Sequence, residues 1–82
     1  MTRDEWRPDS DTLDAVANLL TAGGQYGIGV SFEPDGIGWR VGYLRGMGGG
    51  ELANAYDLLD AARAALRPLM ELGESVKRSG HA

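Results

Sequence analysis

Arg45 and the glycine run after it form the segment whose residue types are best suited to binding a ligand. The candidate residues are Arg45, Gly46, Gly48, Gly49 and Gly50. Glycine-rich loops that lead into a helix expose backbone N–H groups, and those groups bind phosphate oxygens. The spacing differs from the phosphate-binding pattern G-x-x-x-x-G-K-[ST], and Glu51 adds negative charge where we predict a helix to begin. Two interpretations stay open: an anion site formed by these residues, or a flexible connector.

Asp9, Asp11 and Asp14 have a spacing that could hold a cation. The run lacks the central glycine and the terminal glutamate of a calcium-binding loop. Aspartate is also a preferred helix N-cap, and negative charge is favourable in the first turn of a helix. We therefore predict that these residues begin a helix, and we expect no metal site and no cofactor.

Catalytic residues are few in this chain. The single histidine, His81, is second from the end of the sequence, and the chain has no cysteine. A serine nucleophile needs a rigidly placed base beside it, and no such pair can be assembled here. We expect that the protein is not an enzyme.

The composition restricts the remaining classes of function. The chain has 82 residues, a net charge of -4 and no stretch resembling a membrane span or a signal peptide. The acidic balance argues against nucleic acids and anionic membranes as partners, because binding to either needs clustered cations. Without cysteine there is no sign of an oxidising compartment, so we expect a cytoplasmic protein. Arginine supplies seven of the eight cations, which is typical of a high-GC bacterium or phage.

Two helices are predicted from apolar residues at helical spacing. The first covers residues 9–22 and ends at Gly23 and Gly24, and the second covers residues 51–66 and continues to Gly73 after a kink or restart at Pro68. Residues 1–8 are a polar lead-in segment, and residues 74–82 are predicted to be a flexible tail. The single predicted domain spans residues 9–73.

A β-hairpin is predicted between the helices, from residue 25 to residue 44. Large apolar residues alternate with small ones on both sides of a turn at residues 33–36. We predict that Val30 lies opposite Trp39 and Ile28 opposite Val41, with these side chains facing the helices. The opposite face would be rich in glycine, and we predict that it binds a partner through Gly27, Gly29, Ser31, Gly38, Arg40 and Gly42.

The predicted architecture is α+β, with the order α-β-β-α and both helices on one face of the hairpin. A two-stranded sheet has two unpaired edges and is marginally stable alone. We therefore expect a homodimer, formed by edge pairing into a four-stranded sheet or through the apolar surface of the second helix.

Three functions from different classes are compatible with these residues. The first is a small, acidic, non-enzymatic regulatory module of the kind that phages and mobile elements encode, which binds a protein partner through the glycine-rich sheet face and a helix surface. The second is a small-ligand or nucleotide-phosphate binder that uses Gly46–Gly50 with Arg45. The third is a nucleic-acid-binding accessory protein, which the net charge disfavours. We favour the first.

Overall fold

A three-stranded antiparallel sheet and two helices make up the part of the chain that the computed structural model describes, residues 9–79. The elements are α1 (Ser10–Tyr26), β1 (Gly29–Asp35), β2 (Gly38–Arg45), β3 (Gly48–Ala55) and α2 (Leu58–Ser79). The predicted α+β class is confirmed, but the predicted order α-β-β-α lacks β3. The predicted lead-in segment, residues 1–8, lies outside the described residues.

Helix α1 begins at the predicted cap and ends later than predicted. An Asp9 side-chain oxygen accepts a hydrogen bond from the Thr12 backbone N–H at 2.8 Å. The helix ends at Gly27, which has φ of 70° and whose N–H donates to the carbonyls of Gly23 and Gly24. The predicted end at Gly23 and Gly24 is therefore wrong, because glycine inside a helix costs only about 1 kcal/mol and does not stop it.

Both hairpin connections are two-residue loops that begin with glycine. Gly36 has φ of 64° and Gly46 has φ of 59°, and each is followed by a large apolar residue, Ile37 or Met47. A positive φ at the first loop position matches the right-handed twist of the flanking strands, and glycine adopts it without strain. The predicted turn at residues 33–36 is therefore wrong. Pro34 lies within β1, and its missing N–H is tolerated there because β1 is an edge strand.

The register of β1 against β2 differs from the prediction by four residues, since Val30 lies opposite Tyr43 rather than Trp39. Phe32 lies opposite Val41 and Pro34 opposite Trp39, while Ile28 precedes the strand. Side chains alternate between the two faces of a sheet, so an even shift leaves every strand residue on its predicted face.

Strand β3 replaces the predicted loop and the first turns of the predicted second helix. It pairs with β2 so that Val41 lies opposite Ala53 and Gly42 opposite Glu51, which leaves Leu52 as the extra residue of a bulge. Helix α2 begins only at Leu58 and runs without interruption through Pro68 and Gly73. The helix does not restart at Pro68, so that alternative is wrong, while the kink stays a prediction. Residues 74–79 of the predicted tail are helical, and residues 80–82 lie outside the described residues.

The hydrophobic core lies between the helices and one face of the sheet. Helix α1 packs against β1 and α2, and α2 packs against β2 and β3. The buried apolar side chains are Leu19, Ile28, Val41, Ala61, Ala62, Ala65 and Leu69. The other face of the sheet is covered by neither helix and is the surface to consider for binding.

Candidate functional site

The open face of the sheet, as we call the face turned away from the helices, is formed by alternate residues of all three strands. Its position follows from strand geometry, because Val41 and its cross-strand neighbours point into the core and the residues between them point away. The open face consists of Gly29, Ser31, Glu33, Asp35, Gly38, Arg40, Gly42, Leu44, Gly49, Glu51 and Asn54. Most of these residues are glycines or carry polar side chains.

Arg40 lies on the central strand of the open face and is bound by the protein's own carboxylates. Its guanidinium Nη2 donates to Oε2 of Glu33, the residue directly opposite on β1, at 2.7 Å. The pKa of Arg40 is raised by this hydrogen bond and by the charges of Glu33, Asp35 and Glu51. Arg40 is therefore part of an acidic cluster and not an isolated cation.

A second hydrogen bond crosses the open face from one edge strand to the other. The Asn54 side-chain amide on β3 donates to Oδ2 of Asp35 on β1 at 2.7 Å. Gly38 lies between them on β2, directly opposite Asp35, and has no side chain to block the contact. The polar groups at this end of the face thus hold β1 and β3 in place across β2.

A shallow depression of about 380 Å³ lies beside Arg40 on the open face. Leu44 borders it and is 62% exposed. Among the described residues of the open face it is the only one with a large apolar side chain. The remaining lining comes from Ser31, Glu33, Arg40, Gly42, Tyr43, Gly49, Gly50 and Glu51. With two carboxylates and one guanidinium in the lining, the depression has a net negative charge.

The glycines of the open face are explained in part by the packing of the strands themselves. A Cβ on Gly38 would lie 2.6 Å from the Ala55 carbonyl oxygen, and one on Gly42 would lie 3.0 Å from Ser31 Oγ. A Cβ on Gly29 would have no neighbour closer than 3.5 Å. Close packing therefore requires glycine at Gly38 and disfavours side chains at Gly42, while Gly29 leaves room for a larger residue.

The structure places five of the six predicted partner-binding residues together. Gly29, Ser31, Gly38, Arg40 and Gly42 all lie on the open face. The sixth residue, Gly27, does not belong to this surface. It ends α1 with a positive φ before β1 begins, so its predicted place on the hairpin is wrong.

The residues predicted to bind an anion do not adjoin a helix. Gly46 is in the loop between β2 and β3, Gly48, Gly49 and Gly50 open β3, and α2 begins only at Leu58. Arg45 is the last residue of β2 and is exposed. The anion site thus lacks the helix N-terminus on which its prediction rested, and it stays a prediction.

Metal ligands and membrane spans are not found in residues 9–79. No group of three or more histidine, aspartate or glutamate side chains in this range could hold a metal ion. Within the same residues, neither helix is long and apolar enough to cross a membrane.

Three functional candidates on the open face escaped the sequence analysis. The sequence predicts a turn that begins at Glu33, a helix that begins at Glu51 and a hairpin that ends at Leu44. The period-two pattern continues through Glu33 to Asp35, so a turn at Gly36 would have placed both carboxylates beside Arg40. No comparable signal marks Glu51, because Leu52 and Ala53 interrupt the alternation at the bulge.

Comparison with known proteins identifies no relative of this chain. No protein-family model matches it, and neither does any curated protein or solved structure. Its function is therefore inferred from the geometry and charge of its own surfaces.

Proposed function

We propose that the protein is a small non-enzymatic interaction module that binds a protein partner through the open face of its sheet. The observation that carries this proposal is the contrast between the two sheet faces. One is covered by α1 and α2, and the other presents a nearly flat surface with a depression beside Arg40. A face with little side-chain bulk allows the backbone or an aromatic ring of a partner to approach closely.

The charges of the open face favour a partner with a basic surface. Glu33, Asp35 and Glu51 are three carboxylates around one guanidinium, that of Arg40. Because Arg40 is already paired with Glu33 at 2.7 Å, unpaired negative charge remains on Glu51. Lysine or arginine side chains of a partner would be attracted to this edge of the face, since complementary charges steer association and fix orientation.

Leu44 is the apolar contact that such a partner would cover. It stands on the central strand and is 62% exposed, and the space beside it is the depression described above. Interfaces place a few well-packed side chains at the centre with polar groups around them. Leu44 with the surrounding acidic groups has this arrangement.

Catalysis has little support on the same surface. Ser31 is the only hydroxyl of the open face, and among residues 9–79 no histidine is present to act as its base. Nucleophilic catalysis by serine needs a base within hydrogen-bonding distance. This supports a binding role in preference to an enzymatic one.

Photo-crosslinking in the native host tests the proposal. A photoreactive amino acid placed at position 44 should give one crosslinked adduct of defined mass, and the same amino acid at Ala64, an exposed position of α2, should not give it. Glu51→Lys should abolish the adduct, while the matched change Glu71→Lys on α2 should leave it intact. Circular dichroism of each variant would confirm that the fold is retained.

The open face is excluded as the binding surface by two results. One is the same adduct from positions 44 and 64, and the other is an adduct that persists in a folded Glu51→Lys protein. Absence of any adduct at position 44, with binding activity retained in cells, would likewise assign the function elsewhere.

A further inference from the structure

An apolar stripe on α1 lacks a partner within the described residues. The α1 flank, as we call it, consists of Leu13, Ala17, Leu20 and Gly24, which lie on one side of the helix because they are spaced three or four residues apart. Leu13 is 55% exposed and Leu20 is 51% exposed. Two large apolar side chains on the outer surface of a short helix suggest a surface that is covered in the functional protein.

The α1 flank points away from α2 and toward the free edge of β1. Asp14 and Asn18, on the other side of α1, line a groove together with Arg63 and Leu66 of α2. Within the sheet, α1 contacts only β1, and β1 is the first strand of the order β1-β2-β3. The flank therefore lies above a strand edge that no other strand of residues 9–79 pairs with.

The free edge of β1 has hydrogen-bonding groups at defined positions. In a hairpin with a two-residue loop, Asp35 and Gly38 exchange hydrogen bonds, so bonds to β2 recur at every second residue of β1. The intervening residues, Val30, Phe32 and Pro34, direct their backbone groups outward. An unpaired edge of this kind is a template for another strand.

Free N–H donors on this edge are restricted to two residues. Pro34 has no N–H, and the N–H of Ile28, just before the strand, already donates to the Gly23 carbonyl at 2.8 Å. Val30 and Phe32 remain as the donors that another strand could use. The edge therefore has one short segment able to pair, centred on Ser31.

We propose that a second copy of this chain pairs with that edge, so that two β1 strands run antiparallel about a twofold axis at Ser31 and form a six-stranded sheet. Val30 then exchanges hydrogen bonds with Phe32 of the second copy. By symmetry, Phe32 exchanges hydrogen bonds with Val30 of the second copy. Pro34 meets Ile28 of the second copy, so the two positions without a free donor lie opposite each other. Twofold dimers are the commonest oligomers of soluble proteins.

Charge also favours this register. Glu33 lies opposite Gly29 of the second copy, where a side chain has room, so no carboxylate of β1 faces another carboxylate directly. A register shifted to place Glu33 against its own copy would bring like charges together, which is destabilising in a cross-strand pair. Asp11 and Asp14 lie on the exposed side of α1 away from the flank, so the two flanks meet without opposed charges.

The contact area of the proposed dimer is at the small end of specific interfaces. Strand residues 28–34 and the α1 flank supply about a dozen residues per copy, roughly half of the 20 to 30 that each side of a standard interface contributes. The total buried area would then be near the lower limit of specific interfaces, about 1,000 Å². We expect a dimer that forms at micromolar concentrations and dissociates on dilution.

Light scattering and single-cysteine crosslinking test this dimer directly, because the natural chain has no cysteine. The wild-type protein should have twice the monomer mass at high micromolar concentration. Ser31→Cys should form a disulfide-linked dimer on mild oxidation, because directly opposed strand residues bring their Cβ atoms within about 4.5 to 5.5 Å. Asn54→Cys, an exposed residue on the opposite edge strand, is the matched control and should stay largely uncrosslinked.

Two charge substitutions separate the α1 flank from the surface of α2. Leu20→Glu should shift the protein to the monomer mass, while Met70→Glu, a comparable change at a residue of α2 that is 46% exposed, should leave the dimer intact. A monomer mass for the wild type at all concentrations overturns the proposal. So does a dimer that Met70→Glu disrupts and folded Leu20→Glu does not, or a dimer in which Ser31→Cys fails to crosslink. Failure of the partner proposal would leave these results unchanged, because that proposal rests on Leu44 and Glu51, whereas the dimer rests on the α1 flank and the backbone of β1.

Discussion

Gly73→Ala tests how tightly the two helices are packed. Gly73 lies within α2, where alanine is the better helix former by about 1 kcal/mol. The ring of Tyr26, the last residue of α1, lies directly against Gly73. A Cβ at position 73 would be 2.5 Å from ring carbons Cγ and Cε2, a distance that real Cβ contacts essentially never show.

The expected cost follows from how the ring is held. Tyr26 is half-buried and its hydroxyl donates to Oε2 of Glu74 at 2.7 Å, so moving the ring away from Gly73 would disturb this hydrogen bond. Adding a methyl group to such a well-packed contact costs about 1 to 3 kcal/mol. After the propensity gain of about 1 kcal/mol is subtracted, we expect Gly73→Ala to lower the free energy of unfolding by about 1 kcal/mol, with zero and 2 as the limits.

Gly24→Ala is the matched control on the other helix. Gly24 lies within α1, is exposed, and a Cβ there would have no atom within 4 Å other than its own helix backbone. Gly24 belongs to the α1 flank, so the measurement is made at concentrations at which the protein is monomeric, where this variant should gain about 1 kcal/mol from propensity alone. The propensity gain cancels between the two variants, so the difference between them measures the packing contact.

Urea and thermal denaturation, each followed by far-ultraviolet circular dichroism, provide the measurement. A difference of about 1 to 3 kcal/mol corresponds to at least roughly 4 °C between the melting temperatures of the two variants. Combining Gly73→Ala with Tyr26→Ala should make the alanine at position 73 stabilising, because the ring is gone. If Gly73→Ala alone stabilises the protein as much as Gly24→Ala does, the ring contact does not constrain the helices and the reasoning fails.

Three further predictions concern α1 and α2. Leu69→Ala should cost about 2 to 5 kcal/mol of unfolding free energy in urea titrations, because Leu69 is fully buried between the layers, and a cost below about 1 kcal/mol would contradict that burial. Pro68→Ala should raise the free energy of unfolding by about 1 to 3 kcal/mol, because it restores a donor for the Ala64 carbonyl in an unbroken helix. A loss of stability would show that the packing of the proline ring contributes more than the restored hydrogen bond. Hydrogen bonding to the Thr12 side chain and backbone lowers the pKa of Asp9 below its ordinary value of 3.8. The ionised Asp9 carboxylate therefore adds to the free energy of unfolding above that pH, and this stabilisation is lost as the pH falls further. Asp9→Asn retains the cap without titrating, so its stability should fall less between pH 6 and pH 3 than that of the wild type, and an unchanged slope would refute this assignment.

Alternation in the sequence was sufficient to assign faces but not register. Val30, Phe32, Trp39 and Val41 occupy the faces predicted for them, because an even shift leaves alternation unchanged. The position of the turn decides the register. Pro34 with Gly36 has the composition of a type I or II turn, and only the positive φ at Gly36 in a two-residue loop distinguishes the observed connection.

Strand β3 could not be predicted from its composition. Glu51, Leu52 and Ala53 are good helix formers, and Gly48 to Gly50 are poor strand formers, so intrinsic preference favours a loop followed by a helix. The bulge at Leu52 also removes the alternation that would identify a strand. Pairing with β2 overrides these local preferences. The same pairing places Glu51 near Arg40.

The Tyr26–Glu74 contact has a consequence for the order in which the protein folds. The sheet pairs neighbouring strands through two-residue loops, whereas this hydrogen bond joins residues 48 apart in the chain. Closing a longer loop costs more entropy, so we expect the hairpins to form before α1 docks on α2. A weakened helix contact should then accelerate unfolding with little effect on the folding rate, which stopped-flow measurements on Gly73→Ala would resolve. On this expectation the helix pair assembles last and separates first.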